Sequence, residues 1–188
     1  MRNRLYATVL FLFILIVAKP ASACRSMAEL KLEDITYASV VVVGRITNYE
    51  IILDQEARMH RERTLANPEL SPEYRELISG QKKWLTDYAR FNVLVDEVLL
   101  GQAPDVITVT WNNSTFGEPE KMGEGPFLIA LRDPHAESPP LRGPSATIVQ
   151  PQEQTLTVLQ APCAKAFIFY TFSPEALKAR EILSGSEE

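Results

Sequence analysis

The residue types able to do chemistry are few and scattered. There are two cysteines, Cys24 and Cys163, and two histidines, His60 and His135. Neither histidine has a serine, a cysteine or a second ligand at a spacing that suggests nucleophilic catalysis or a metal site, so both read as solvated side chains. Asp96-Glu97 is an adjacent acid pair, but it falls where a strand changes register. Arg58, His60, Arg61 and Arg63 make a basic stretch, yet Asp54, Glu56 and Glu62 interleave with them, as on a solvated helix face. The residues therefore predict no catalytic constellation, no cofactor and no metal. The expectation is a non-enzymatic protein.

Cys24 has the most informative setting. It follows Ala21-Ser22-Ala23, the small-residue pattern behind which a signal peptidase cuts. Arg2 and Arg4 form a basic start, and Leu5 to Ala18 is apolar apart from Thr8 and the amphipathic Tyr6. That run is shorter than the roughly 20 residues of a membrane span, and Pro20 breaks any helix before the cut. Residues 1–23 read as a signal peptide, which places the mature chain, 24–188, in the periplasm or outside the cell. An uncleaved anchor is the alternative.

Three fates then compete for Cys24. In an oxidising compartment two cysteines most simply form one bridge, Cys24–Cys163. It would close a loop of roughly 140 residues, for which chain entropy gives up to about 5 kcal/mol. Two free thiols are the second fate. Lipidation of Cys24 is the third, although Ala21 stands where lipoprotein signals favour a larger aliphatic residue. A lipidated, periplasmic envelope protein anchored through Cys24 is thus the competing functional reading, and only then is a membrane a partner.

The leader removes Arg2, Arg4 and Lys19, leaving 16 basic residues against 24 acidic ones, a formal net charge of −8. A negative surface repels polyphosphate backbones, which argues against nucleic acid as a partner. Length and apolar content suit one domain with a sizeable core.

The elements that must position these residues are mostly strands. Residues 25–37 mix polar and apolar positions, as in a short turn or irregular segment. Val40–Val43 is a β-branched run bounded by Gly44, predicting a strand buried on both faces that bends at the glycine and serves two sides of a small barrel. Residues 54–87 lose strand patterning. Asp54 to Leu65 reads as one helix. Ser71-Pro72-Glu73 starts another, with Tyr74, Leu77, Ile78 and Leu85 on one face; Gly80 offers one ending, and Leu85, still in phase, a continuation past the glycine. This stretch is expected to be a helical insertion covering part of the sheet.

Strands resume at Ala89, with a bulge at Asp96-Glu97 where the alternation slips. Val106–Trp111 and Phe127–Leu131 are further strands, and Thr147–Val149 with Thr155–Leu159 looks like a hairpin. Phe167–Phe172 is a strand or buried connection, and Ser173-Pro174-Glu175 opens a closing helix that stops at Gly185. Trp111 and Phe116 flank the polar run Asn112-Asn113-Ser114-Thr115, which reads either as a ligand rim or as a core tryptophan with an ordinary loop. The sum is mainly β: a small antiparallel OB-fold-like barrel with an inserted helical segment and a C-terminal helix.

This order resembles the netrin-like domain, and within it exported proteins similar to tissue inhibitors of metalloproteinases (TIMPs). The matching pieces are the mature N-terminal Cys24, the valine-rich strand with Gly44-Arg45, and Phe91 to Gly101, which is similar to the family's Phe-x-Val-x-x-Val-x-Lys-Gly strand. Val106–Trp111, the segment from Gly117 to Leu131 and the late Cys163 complete it. The resemblance implies an OB-fold barrel and a protein partner, a protease or an envelope component. In TIMPs the N-terminal cysteine holds a target protease's zinc through its α-amino group and carbonyl, so it implies partner-binding residues at Cys24, Arg25 and Ser26, with Asn113 and Phe116 in the loop. Two departures stand out: Cys24-Arg25-Ser26 lacks the family's second cysteine, and Asn112 to Phe116 lacks the matching one. The insertion 54–87 is an addition to the family's core.

Overall fold

The computed structural model describes residues 27–81, 84, 86–112, 118–140 and 153–185. Residues 1–23, the expected signal peptide, and Cys24, Arg25, Ser26, Asn113, Phe116, Leu85 and Thr147–Val149 lie outside them.

Strand β1, Val40–Ile52, organises the fold. Val40 to Gly44 pair with Leu131 to Phe127 of β4, Phe127–Arg132, while the strand from Val41 to Ile52 also pairs with β2, Tyr88–Leu100. One long strand thus serves two sides, as its sequence predicts. The reason for glycine at the bend is steric. A Cβ on Gly44 would sit 2.4 Å from the Leu94 carbonyl oxygen and 2.8 Å from a Val93 methyl. The bulge also falls where expected: Val43 opposes Glu97 and Gly44 opposes Val95, so Asp96 is the extra residue.

The sheet continues through β3, Val106–Asn112, and β5, Thr157–Val158, in the order β1-β2-β3-β5-β4, and β4 returns to β1. This closes a five-stranded, OB-fold-like barrel. Its neighbours are antiparallel except β3 and β5, which run parallel at Thr110 and Thr157. The expected strand Thr155–Leu159 contracts to two residues, because both neighbours come from distant parts of the chain and cross it only briefly. Its proposed hairpin partner lies outside the described residues. The sixth strand, β6 (Ile168–Tyr170), adds to β4 outside the closed circuit.

Two apolar clusters explain the continuous hydrophobic runs. Val40, Val42, Phe91, Val109, Phe127 and Ile129 fill the barrel. The alternate residues Val41, Leu128 and Ala130 face outward into a second cluster, with Ile35, Phe167 and Ala176. That outer face is covered by a 3-10 helix, Leu32–Tyr37, and by α3, Pro174–Gly185, so β1 and β4 are buried on both faces. Of the short turn or irregular segment expected there, the structure forms the 3-10 turns, with Ile35 buried. The closing helix is capped by Ser173 Oγ, which accepts from the Ala176 amide at 3.2 Å, and it ends at Gly185 as the sequence predicts.

The insertion holds α1, Gln55–Leu65, and α2, Pro72–Gly80. Ser71 caps α2 as the sequence predicts, accepting from the Tyr74 amide, and Asp54, expected as the first residue of α1, instead caps it by accepting from the Ala57 amide. Of the two endings the sequence offers, helix α2 takes Gly80. One expectation fails: neither helix buries a residue. Leu77 is 70% exposed, so the apolar face of α2 does not cover the sheet. No helix among the described residues is long and apolar enough to cross a membrane.

Candidate binding cleft beside the N-terminal segment

The described chain enters against the turn that carries Cys163. The Ala28 amide donates to the Cys163 carbonyl at 2.8 Å. Cys163 is buried and adopts a left-handed backbone, φ 67°, which turns the chain between β5 and β6. No described cysteine is free.

Trp111 fixes this turn to the barrel. Its Nε1 donates 2.8 Å to Gln160 Oε1, and the Gln160 amide donates 2.7 Å to the Ala164 carbonyl. With 7% exposure and its indole nitrogen satisfied, Trp111 is a core residue. Tyr49 holds the far side. Its hydroxyl donates 2.6 Å to the Pro119 carbonyl, and burial, helped by the Glu118 carboxylate, pushes its pKa far above the ordinary phenol value. The hydroxyl is therefore a permanent donor. Thr171 ties the loop's end to β6, donating through N and Oγ1 to the Pro126 carbonyl at 3.3 and 2.8 Å.

Between these anchors lies a cleft of about 570 Å³, walled by Trp111, Met122, Phe127, Ile168 and Tyr170, with Lys121, Lys165 and Glu175 on its rim. An adjoining hollow of about 550 Å³ is lined by Met27, Leu30 and Leu32 and shares Lys165 and Glu175. Tyr170 rests on Phe127, ring centroids 4.7 Å apart, yet is 64% exposed, and Phe172 beyond it is 87% exposed. Neither lysine has an ion-pair partner among the described residues.

Of the residues the sequence singles out, Cys163 lies at this end of the barrel, while Cys24, Arg25, Ser26, Asn113 and Phe116 are outside the described residues. Their described neighbours converge, however. Met27 follows Ser26 and lines the hollow, and Trp111 and Pro119, on either side of 113–117, line the cleft.

Other sequence candidates prove structural. Arg45 pairs with Asp96 at 3.4 Å, and Arg180 grips Glu97 at 2.6 Å. The basic stretch divides: His60 and Arg63 are exposed as expected, but Arg58 and Arg61 turn back onto the insertion. Arg58 forms two bonds to Asp87, 2.6 and 2.9 Å, and Arg61 donates to the Ile78 and Ser79 carbonyls. Both guanidiniums also lie over the Trp84 ring, 4.5 and 5.7 Å from its centre. His60 is exposed on α1, and His135 contacts Gln154. No group of three or more His, Cys, Asp or Glu suited to a metal ion occurs among the described residues.

Lys121, Lys165 and Tyr170 are the site residues that sequence reading misses. The one signal for them is the aromatic density of Phe167 to Phe172, whose alternation sends Tyr170 to the opposite face from Phe167 and Phe169.

Comparison with known proteins yields no matching family model, no matching curated protein and no matching solved structure.

Proposed function

We propose that this chain is an exported, non-enzymatic protein-binding domain, working in the periplasm or outside the cell as a TIMP-like, inhibitor-like module. One observation carries the reading: the segment that begins at Met27 docks on Cys163 beside a rigidly framed apolar cleft. A Cys24–Cys163 bridge would hold the mature N-terminus near that cleft and lower the ordering cost of binding there. The buried, non-free Cys163 supports the bridge over two thiols. The absent cysteine at Ser26 favours a stapling role for Cys24 over zinc chelation by its α-amine.

Intact mass of the mature protein, before and after reduction, tests the first half. The reading expects a free amine at Cys24 and a gain of two hydrogens on reduction, and an acylated Cys24 would replace it with a lipid-anchored protein. A photo-crosslinking residue at Phe172 tests the second half. It should give a discrete adduct with an extracytoplasmic protein, while the same residue at Leu77 on α2 should not. Loss of the Phe172 adduct in correctly exported protein overturns the binding role. Inhibition of a zinc protease by the mature protein would identify the partner class.

A further inference from the structure

We propose that β6 is a docking edge for an extended peptide segment of a partner protein, which adds as a strand along Ile168–Tyr170, places an apolar side chain in the Trp111–Phe127 cleft and sets a carboxylate against Lys121 and Lys165. This deepens the protein-binding reading and rests on it.

The backbone supplies the first argument. Strand β6 ends the sheet order and, among the described residues, pairs only with β4. The Ala130 amide donates to the Phe167 carbonyl, and the Thr171 amide donates to the Pro126 carbonyl. Antiparallel pairs alternate between bonded and non-bonded, so Phe169, Thr171 and the Phe167 carbonyl face β4, while the Phe167 amide donates to the Leu159 carbonyl at 2.9 Å. Ile168 and Tyr170, opposite Ile129 and Phe127, direct theirs away from it. The Tyr170 carbonyl is used by the Ser173 amide, 2.9 Å. The Ile168 N–H and C=O and the Tyr170 N–H remain for a further strand.

Edge strands are usually defended by a proline, a charge or a covering segment. Ile168–Tyr170 contains neither proline nor charge, and the adjoining Phe172 presents an almost fully exposed ring. The same edge forms a wall of the apolar cleft, so a strand added there has a pocket for one of its side chains.

Charge selects the occupant. The chain as a whole is acidic, with a formal net charge of −5, but this rim offers two lysines against the single Glu175. An acidic residue beside the apolar anchor complements it. A second copy of the chain would bring the same lysines to the junction, so like charge opposes self-pairing.

The test pans the mature protein against a phage-displayed library of random decapeptides and measures synthetic versions of the winners. Selected peptides should alternate apolar residues and carry Asp or Glu, and their binding should slow hydrogen exchange at the Ile168 and Tyr170 amides. Ile168→Pro removes the outward N–H together with the Ile168 side chain that packs on the barrel core and walls the cleft, and should weaken binding at least about tenfold, whereas Ile168→Val, which keeps the N–H, should weaken it far less. Should Ile168→Pro misfold, the double substitution Lys121→Glu and Lys165→Glu should shift the selected peptides from acidic to basic. The proposal is overturned if no consensus emerges, if protection appears elsewhere, if neither Ile168→Pro nor the double substitution alters binding, or if the chain instead dimerises through β6. In those cases an intact Phe172 crosslink preserves the protein-binding reading, which falls only if that adduct is also missing.

Discussion

The Arg58 guanidinium grips the Asp87 carboxylate with both terminal nitrogens, at 2.6 and 2.9 Å, across the neck of the helical insertion. The same carboxylate accepts from the Asp54 amide at 2.8 Å and the Trp84 amide at 3.1 Å. Four donors thus converge on a residue that is 3% exposed, joining the end of β1, the start of α1 and the entry to β2. Removing the cation while leaving the buried anion is the expensive change. Arg58→Ala should lower unfolding stability by about 3 kcal/mol in chemical denaturation. Arg63→Ala, on the exposed side of α1, should stay within about 0.5 kcal/mol of the parent.

Asp87 also sets a pH dependence. Burial alone would raise its pKa, but the bonds from Arg58, Asp54 and Trp84 outweigh burial and hold it below the ordinary carboxylate value. The folded value is therefore lower than the unfolded one, near 3.9. The stabilisation is complete above the unfolded value and is lost as pH falls through the folded value. The stability difference between the parent and Asp87→Asn should be flat from about pH 8 to pH 5 and shrink below about pH 4. Denaturant titrations across that range measure it, and a difference that grows on acidification would contradict the assignment.

Gly44 gives a steric prediction. The atom nearest an added Cβ is a backbone oxygen, which cannot rotate away. Gly44→Ala should cost about 3 kcal/mol, at the upper end of overpacking. Gly80 has nothing within 4 Å of the same position, so Gly80→Ala should be neutral or stabilising by up to about 0.5 kcal/mol. Thermal melts of the two variants should move in different directions or by very different amounts.

Trp111 and Gln160 should behave as one unit. Trp111→Phe leaves the Gln160 carbonyl without its indole donor, at a cost of about 1–2 kcal/mol from this bond, in addition to lost ring packing. Gln160→Met removes the other partner together with the bond to Ala164. In a double-mutant cycle the combined loss should be smaller than the sum of the single losses. Strict additivity would show that the bond does not couple the Cys163 turn to the barrel.

The barrel was legible in the sequence wherever one short stretch carried its own cause. Val40–Val43 ahead of Gly44, the slip at Asp96-Glu97 and the cap at Ser71 each combine a residue type with a local geometric need. Features that depend on distant partners were not legible. Strand β5 is short because β3 and β4 flank it from far along the chain. The Arg58–Trp84–Asp87 assembly looked like solvated charge because its acid and ring come from the other end of the insertion. The cleft shows the same limit. Lys121 and Lys165 sit on separate loops that only the closed barrel brings to one rim, and no spacing rule connects them.

The register at the base of the insertion has a wider consequence. Ile52 pairs directly with Tyr88, so to the barrel everything between them is a single hairpin turn, however many residues it contains. Closure entropy grows only slowly with length, by about 0.6 kcal/mol per doubling. With neither helix contributing to the core, the span can lengthen or shorten without re-registering a strand, provided Arg58 and the Asp54 amide still meet the Asp87 carboxylate.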